Sequence, residues 1–173
     1  MSDHVLTTER LILRRPAARD WPGARDFYMS DRSALAGGGP LDLGAAWRQF
    51  AAIIGHWSIL GCGLWSVTMK GDDTCIGLVG PWCPEDWPEN ELGWLLFAGA
   101  EGKSIAHEAA LATRTHAFDT LGWTTAVSYI HADNARSIAL AARLGCTLDP
   151  GAPQPRPDKP CLVYRHPAPG ATS

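Results

Sequence analysis

Gly102-Lys103-Ser104 lies inside the stretch ELGWLLFAGAEGKSIAHEAA, which runs from Glu91 to Ala110. Glu91 to Phe97 has the apolar and aromatic content of a buried strand. Ala98-Gly99-Ala100-Glu101-Gly102 is small enough to turn sharply. Ser104 to Leu121, with alanines at 106, 109, 110, 112 and 117, has helical composition. A strand that feeds a helix through a glycine turn aims unpaired backbone N–H groups and the positive end of the helix dipole at one point. That arrangement binds phosphate.

Spacing narrows the ligand. A nucleotide-binding P-loop, G-x-x-x-x-G-K-[ST], ends in Gly102-Lys103-Ser104, but its first glycine falls on Phe97, and Gly99 is two residues too late. No window has the dinucleotide fingerprint G-x-G-x-x-G. Gly37-Gly38-Gly39-Pro40 is glycine-rich, but no strand precedes it, and it reads as a connector at the rim of a site. The five cysteines, Cys62, Cys75, Cys83, Cys146 and Cys161, form no C-x-x-C pair. Their spacing argues against a disulfide framework and against zinc. The six histidines are scattered, and no metal is expected.

The elements that must position this turn follow from patterning. Thr8 to Arg15 reads as a strand stopped by Pro16, and Ala18 to Met29 as a helix with an apolar stripe through Trp21, Ala24, Phe27 and Tyr28. Asp42 caps a second helix, roughly Leu43 to Trp57. Leu64 to Met69 and Cys75 to Trp82 form a hairpin with a loop of four or five residues. The proline-rich segment 81–88, with Trp82 and Trp87, leads into the Glu91 strand, giving an antiparallel meander. Thr125 to Ile130 is the strand after the central helix, and a strand–helix–strand unit of this length is a parallel crossover. Asp133 or Asn134 caps a short helix that Gly145 stops. Cys146 to Leu148 and Cys161 to Arg165 are the last strands, separated by a loop with five prolines, and Pro167 to Ser173 reads as a disordered tail. The order is βααβββαβαββ, an α/β domain with a mixed sheet.

At 173 residues the chain fits one domain with a sizeable core. A net charge of −3 argues against a broad nucleic-acid face. The N-terminus lacks a basic start before an apolar run, and no apolar run approaches the roughly 20 residues that span a bilayer. The cytoplasm is the expected compartment. Eight tryptophans, six of them between Trp47 and Trp94, read mainly as core and pocket wall.

Four segments together resemble the GNAT N-acetyltransferase superfamily and, within it, the RimJ/RimL-like branch. Thr8-Glu9-Arg10-Leu11-Ile12-Leu13-Arg14 resembles the branch's T-E-R-L-x-L-R opening, and Glu91-Leu92-Gly93-Trp94 its E-[IL]-G-[YW] strand. Glu101 to Ala109 resembles the [QR]-G-K-G-Y-A-T-E-A pyrophosphate turn. Asn134-Ala135-Arg136-Ser137-Ile138 with Arg143-Leu144-Gly145 resembles the N-x-x-S-I … K-L-G-F segment. The resemblance covers most of the chain. It implies a GNAT-like domain over 1–166, with a mixed, mostly antiparallel sheet and helices on both faces. The implied activity is transfer of acetyl from acetyl-CoA to a primary amine, either a protein or peptide N-terminus or a small amine. A monomer or homodimer is implied, with no membrane partner.

Acetyl transfer needs a neutral amine, a held thioester, donors for the oxyanion and a proton for the departing thiolate. By the resemblance, the pantetheine arm lies along Leu95, Leu96 and Phe97. Glu101, Gly102, Lys103, Ser104, Ile105 and Ala106 hold the pyrophosphate, and Asn134 bonds the pantetheine amide. Glu91 is the implied general base, and Glu108 is structural. The Trp-rich segment 82–94 and the Gly37–Pro40 loop are implied to line the acceptor side. The tyrosine acid found in many relatives falls on Ala141, so Ser137 is the expected proton donor and cofactor contact, with Tyr129 and His131 weaker candidates. Glu101 replaces Gln or Arg and Ser104 replaces Gly in the turn. With the missing tyrosine, these departures leave a CoA-binding module without transferase activity as the rival reading.

Overall fold

The structure, a computed structural model, describes residues 5–171; the last two residues of the expected tail lie outside them. Alternation in Leu11-Ile12-Leu13-Arg14 sends Leu11 and Leu13 into the core, and the same period builds the other strands. They are β1 (Leu6–Thr7), β2 (Leu11–Arg14), β3 (Trp65–Met69), β4 (Asp72–Trp82), β5 (Glu91–Leu96), β6 (Val127–Ile130), β7 (Thr147–Leu148) and β8 (Leu162–Arg165). They form one sheet in the order β1-β2-β3-β4-β5-β6-β8-β7. Every pairing is antiparallel except β5 with β6.

The helices are α1 (Trp21–Tyr28), α2 (Leu43–Leu60), α3 (Ile105–Asp119) and α4 (Ala135–Arg143). Asp42 caps α2 by accepting from Ala45 N at 2.7 Å. Asn134, rather than Asp133, caps α4 through Ser137 N at 3.1 Å. On one sheet face, Ala24, Phe27 and Tyr28 of α1 and Ala46, Phe50 and Ile53 of α2 pack with Leu78, Leu95 and Phe97. On the other, Ile105, Ala109 and Ala110 of α3 and Leu140 and Ala141 of α4 pack against Leu11, Leu13, Val67 and Val79. The meander β3–β4–β5 and the parallel crossover β5–α3–β6 are present as expected from the pattern.

Three local features differ from the sequence expectation. Thr8 to Arg15 is not one strand but the turn and second arm of a hairpin. Thr8 Oγ1 accepts from Leu11 N at 3.0 Å, and Leu6 pairs with Leu13, so the threonine's local bonding competes with extension. The β3–β4 connection is Lys70-Gly71 alone, because Gly71 adopts φ +86 and lets Asp72 pair with Met69. A short 3-10 helix, Asp31–Leu35, follows α1 where no element was expected.

Candidate active site

A parallel pair that separates after one bridge leaves main-chain groups without strand partners. β5 and β6 pair only at Glu91 and Val127, with Val127 N donating to Asn90 O at 3.0 Å. One residue on, the Ser128 hydroxyl donates to Leu92 O at 2.6 Å in place of a ladder bond. That hydroxyl then accepts from His166 Nε2 at 2.9 Å. Burial, with the nearby Arg114 charge, pushes His166 down to about 3, so the ring is neutral. Beyond Ser128 the strands part.

Main-chain direction alternates along an antiparallel ladder. Phe97 N donates to Ile76 O at 2.9 Å, so Leu95 and Phe97 turn toward β4, and Trp94 and Leu96 turn their N–H and C=O into the gap. The gap widens into a cavity of about 930 Å³, walled by β5, the turn before α3, the start of α4 and the 31–35 segment.

The turn before α3 reaches this cavity. Gly102 has φ +73 and Ser104 φ +58, both left-handed. For a serine this backbone is strained, and Ser104 makes no side-chain cap bond. The first N–H groups of α3 have no intrahelical partner, and Gly102, Ser104, Ile105 and Ala106 line the cavity. Lys103 does not; it is exposed, with Nζ donating to Gly99 O at 3.0 Å. Its carbonyl accepts from Arg10 Nη1 at 3.1 Å, while Arg10 Nε and Thr8 Oγ1 donate to Glu108 at 2.7 and 2.6 Å. The T-E-R opening therefore anchors the turn, and Glu108 is structural, as expected. Glu101 lines the cavity but pairs with Arg32 and Arg136.

Asn134 and Ser137 lie on the opposite wall. Asn134 Nδ2 donates to Leu35 O at 3.2 Å. Ser137 Oγ accepts from Trp94 Nε1 at 3.1 Å, which leaves its own proton for donation. Leu95 and Leu96 line the cavity, whereas Phe97 is buried among α1 residues with its ring 5.7 Å from that of Phe27. Ala141 is fully buried.

Glu91 stands at the closed end of the gap, on the α1/α2 face of β5. Trp87 Nε1 donates to its Oε2 at 2.6 Å, and the Tyr129 N–H also bonds the carboxyl. No ion pair reaches it among the described residues; Arg165 is taken by Glu89 and Asp149 at 2.8 Å each. Burial with only neutral donors pushes Glu91 up to about 7, against the pull of those two hydrogen bonds. The Tyr129 hydroxyl is buried without a hydrogen-bond partner among the described residues. Burial and the Glu89 and Glu91 charges push it up to about 12, so it keeps its proton at neutral pH.

The two proline-rich loops meet here: Trp87 folds back over Glu91, and Arg156 of the second loop sits 5.5 Å from the Trp87 ring. The Gly37–Pro40 loop instead folds against Tyr28 and Ser33. His131 is exposed beside Asp133. Arg32 and Arg136 were not anticipated. Arg136 follows Asn134 by two positions in a helical first turn, which is a readable signal; Arg32 has none.

The geometry offers a helix-start turn at the open end of the gap, while Glu91 sits at the bridge that closes it and is not among the residues that line the cavity. By a rise of about 3.3 Å per residue, Leu96 and Glu91 are roughly 17 Å apart along β5. The cavity follows β5 from the turn as far as Trp94. No cluster of three or more metal-ligating side chains occurs among the described residues.

Comparison with known proteins gives this geometry relatives. Residues 10–147 match the acetyltransferase (GNAT) domain family. An acetyltransferase from Agrobacterium tumefaciens str. C58 is 44% identical, with 96% of this chain and 95% of that one covered and a TM-score of 0.88. A GNAT-family acetyltransferase from Bacillus anthracis shares the fold at 17% identity, with 94% and 96% covered and a TM-score of 0.73. RimL, a ribosomal L7/L12 alpha-N-protein acetyltransferase, shares the fold at 15% identity, with 95% and 93% covered and a TM-score of 0.72.

Proposed function

Because the chain belongs to the GNAT acetyltransferase family, we propose that it moves the acetyl group of acetyl-CoA onto the α-amine of a peptide or protein N-terminus or a similarly weak small amine. The single observation that carries the acceptor class is the Glu91 carboxyl, held at about 7. An α-ammonium loses its proton near 7.7–8.0 and a lysine near 10.4. Transfer from the first to Glu91 is uphill by about tenfold; from the second it is uphill by more than a thousandfold. A base of this strength is matched to an α-amine.

Acetyl-CoA supplies the acetyl group as an activated thioester. In this reading the α3 turn, through Gly102, Ser104, Ile105 and Ala106, holds the pyrophosphate by backbone N–H groups. Main-chain groups of Trp94 and Leu96 pair with the extended arm, and Asn134 bonds its amide. Glu91 takes a proton from the acceptor amine. Ser137, oriented by Trp94, returns a proton to the departing sulfur. Closeness to the RimJ/RimL-like branch belongs to the same reading, since RimL acts on a protein α-amine by its name and shares the fold.

The test is a panel of free N-terminal peptides, small amines and N-blocked lysine peptides, with CoA release followed by thiol detection. Faster turnover of the α-amines is expected. Preference for blocked lysine peptides refutes the acceptor class, and no turnover of any amine refutes the activity.

A further inference from the structure

Glu101 lines the cavity beside the turn, where an incoming diphosphate belongs, and two arginines from separate elements hold it there. Arg32, from the 31–35 segment, donates through Nη2 to Glu101 Oε1, and Arg136, from the first turn of α4, reaches the same oxygen at 3.2 Å. Two guanidinium groups from separate elements share this one carboxylate oxygen. Arg143 adds a third cation to the wall, and Asp31 and Asp133 are the other carboxylates. The contact is accessible: the Arg136 side chain is 80% exposed and Glu101 28%. A pair this wet contributes little to stability, so a better anion displaces it readily. A diphosphate presents more oxygens and more charge to the same two forks, and guanidinium binds phosphate bidentately.

We infer that Arg32 and Arg136 are diphosphate-binding residues and that Glu101 is a stand-in anion, holding both arginines until the cofactor arrives. The inference rests on the proposed function and deepens it. Arg32 Nη2 also donates to Leu96 O at 3.0 Å, one of the main-chain acceptors an arm along β5 needs. Asn134 Nδ2, the amide donor for the same arm, is held by Leu35 O. One short segment thus occupies the anion contact, the strand acceptor and the Asn134 donor. Exchange of the carboxylate for phosphate releases all three together. The Glu at a position where relatives carry Gln or Arg then has a role: it supplies the carboxylate that the exchange requires.

The experiment is calorimetric titration of the full chain with CoA and with S-acetyl-pantetheine, which has no diphosphate, alongside inorganic pyrophosphate as a competitor. Arg32→Gln and Arg136→Gln each weaken CoA about tenfold without weakening S-acetyl-pantetheine. Glu101→Gln tightens CoA several-fold and makes pyrophosphate a stronger competitor, a gain that a misfolded variant cannot give. CoA affinity unchanged in both arginine variants, or reduced by Glu101→Gln, overturns the inference while leaving the proposed function standing. A wild-type protein that binds neither CoA nor S-acetyl-pantetheine overturns both.

Discussion

Glu91→Gln separates the chemistry of the site from its architecture. In the folded protein the Glu91 carboxyl is pushed up to about 7 by burial, from an ordinary 4.5. That difference disfavours the charged form by about 3 kcal/mol, at roughly 1.4 kcal/mol per tenfold change in the proton equilibrium. The folded state keeps this proton where the unfolded chain has lost it. The stability it contributes is therefore full below about pH 4.5 and is lost as pH rises through about 7. Gln has no such proton, so the stability of Glu91→Gln relative to wild type should rise by about 3 kcal/mol between pH 4.5 and pH 8, measured by urea unfolding. Activity moves the other way: kcat should fall about 10²- to 10⁴-fold, and any acid limb that remains should be the amine's alone. An α-amine titrates close to the same pH, so displacement of the limb is a better readout than its position. Trp87→Phe supplies that displacement. It removes the 2.6 Å donor that favours the carboxylate and should move the limb up by about one pH unit. A kcat unchanged in Glu91→Gln, or an acid limb that stays in place or moves down in Trp87→Phe, refutes the assignment of the base.

Other expectations follow from the same geometry. Ser104→Gly should raise Tm by about 2–4 °C, since it relieves about 1 kcal/mol of left-handed strain at φ +58; a lower Tm would mean that the hydroxyl holds the turn. Ser137→Ala should lower kcat about 10- to 100-fold at unchanged acetyl-CoA KM, and a change below twofold removes Ser137 from proton transfer. Asp20 is buried under Arg14 Nη1 and Nη2 at 2.8 and 2.7 Å, Ser66 Oγ at 2.7 Å and Ala17 N at 2.9 Å. Burial pulls its carboxyl up, but those hydrogen bonds and the Arg14 charge outweigh it and hold the group below its usual range. Asp20→Asn should cost about 3–5 kcal/mol at neutral pH. Because the stabilisation is present above the unfolded carboxylate range and lost as pH falls below it, the gap should narrow in acid; a gap independent of pH would contradict it.

Much of the site was legible because its chemistry is local. The Glu91–Leu96 strand, the glycine turn and the start of α3 lie within one stretch, and turn composition plus helical alanines place the turn that opens α3 directly. Asn134 and Ser137 are three residues apart, so one cap bond fixes both. What the sequence left dark depends on long-range partners. The hydrogen bonds joining Arg32 to Leu96 and Asn134 to Leu35 span 64 and 99 residues. Nothing in the polar turn after α1 foretells either. The raised Glu91 carboxyl was equally invisible. It depends on burial where Trp87 folds back over the carboxyl and Arg156 of the second proline-rich loop sits on the Trp87 ring, contacts that no local pattern shows.

Ser104 and Glu101 both depart from the family turn, and the structure gives the departures opposite meanings. At position 104 the backbone keeps a glycine-like conformation with a serine side chain, so the turn's N–H geometry survives at some cost in strain. The position specifies a conformation, and the side chain is secondary. At position 101 the reverse holds: the side chain is the functional part, because it reaches Arg32 and Arg136 across the cavity. A carboxylate pointing into a phosphate site without cations would repel the ligand outright. Between two arginines its charge is met, and on the proposed exchange the same residue that competes with the ligand preserves the cation pair the ligand would use. On that proposal the turn tolerates an acidic side chain because the anion is held by backbone groups and by arginines contributed by two other elements.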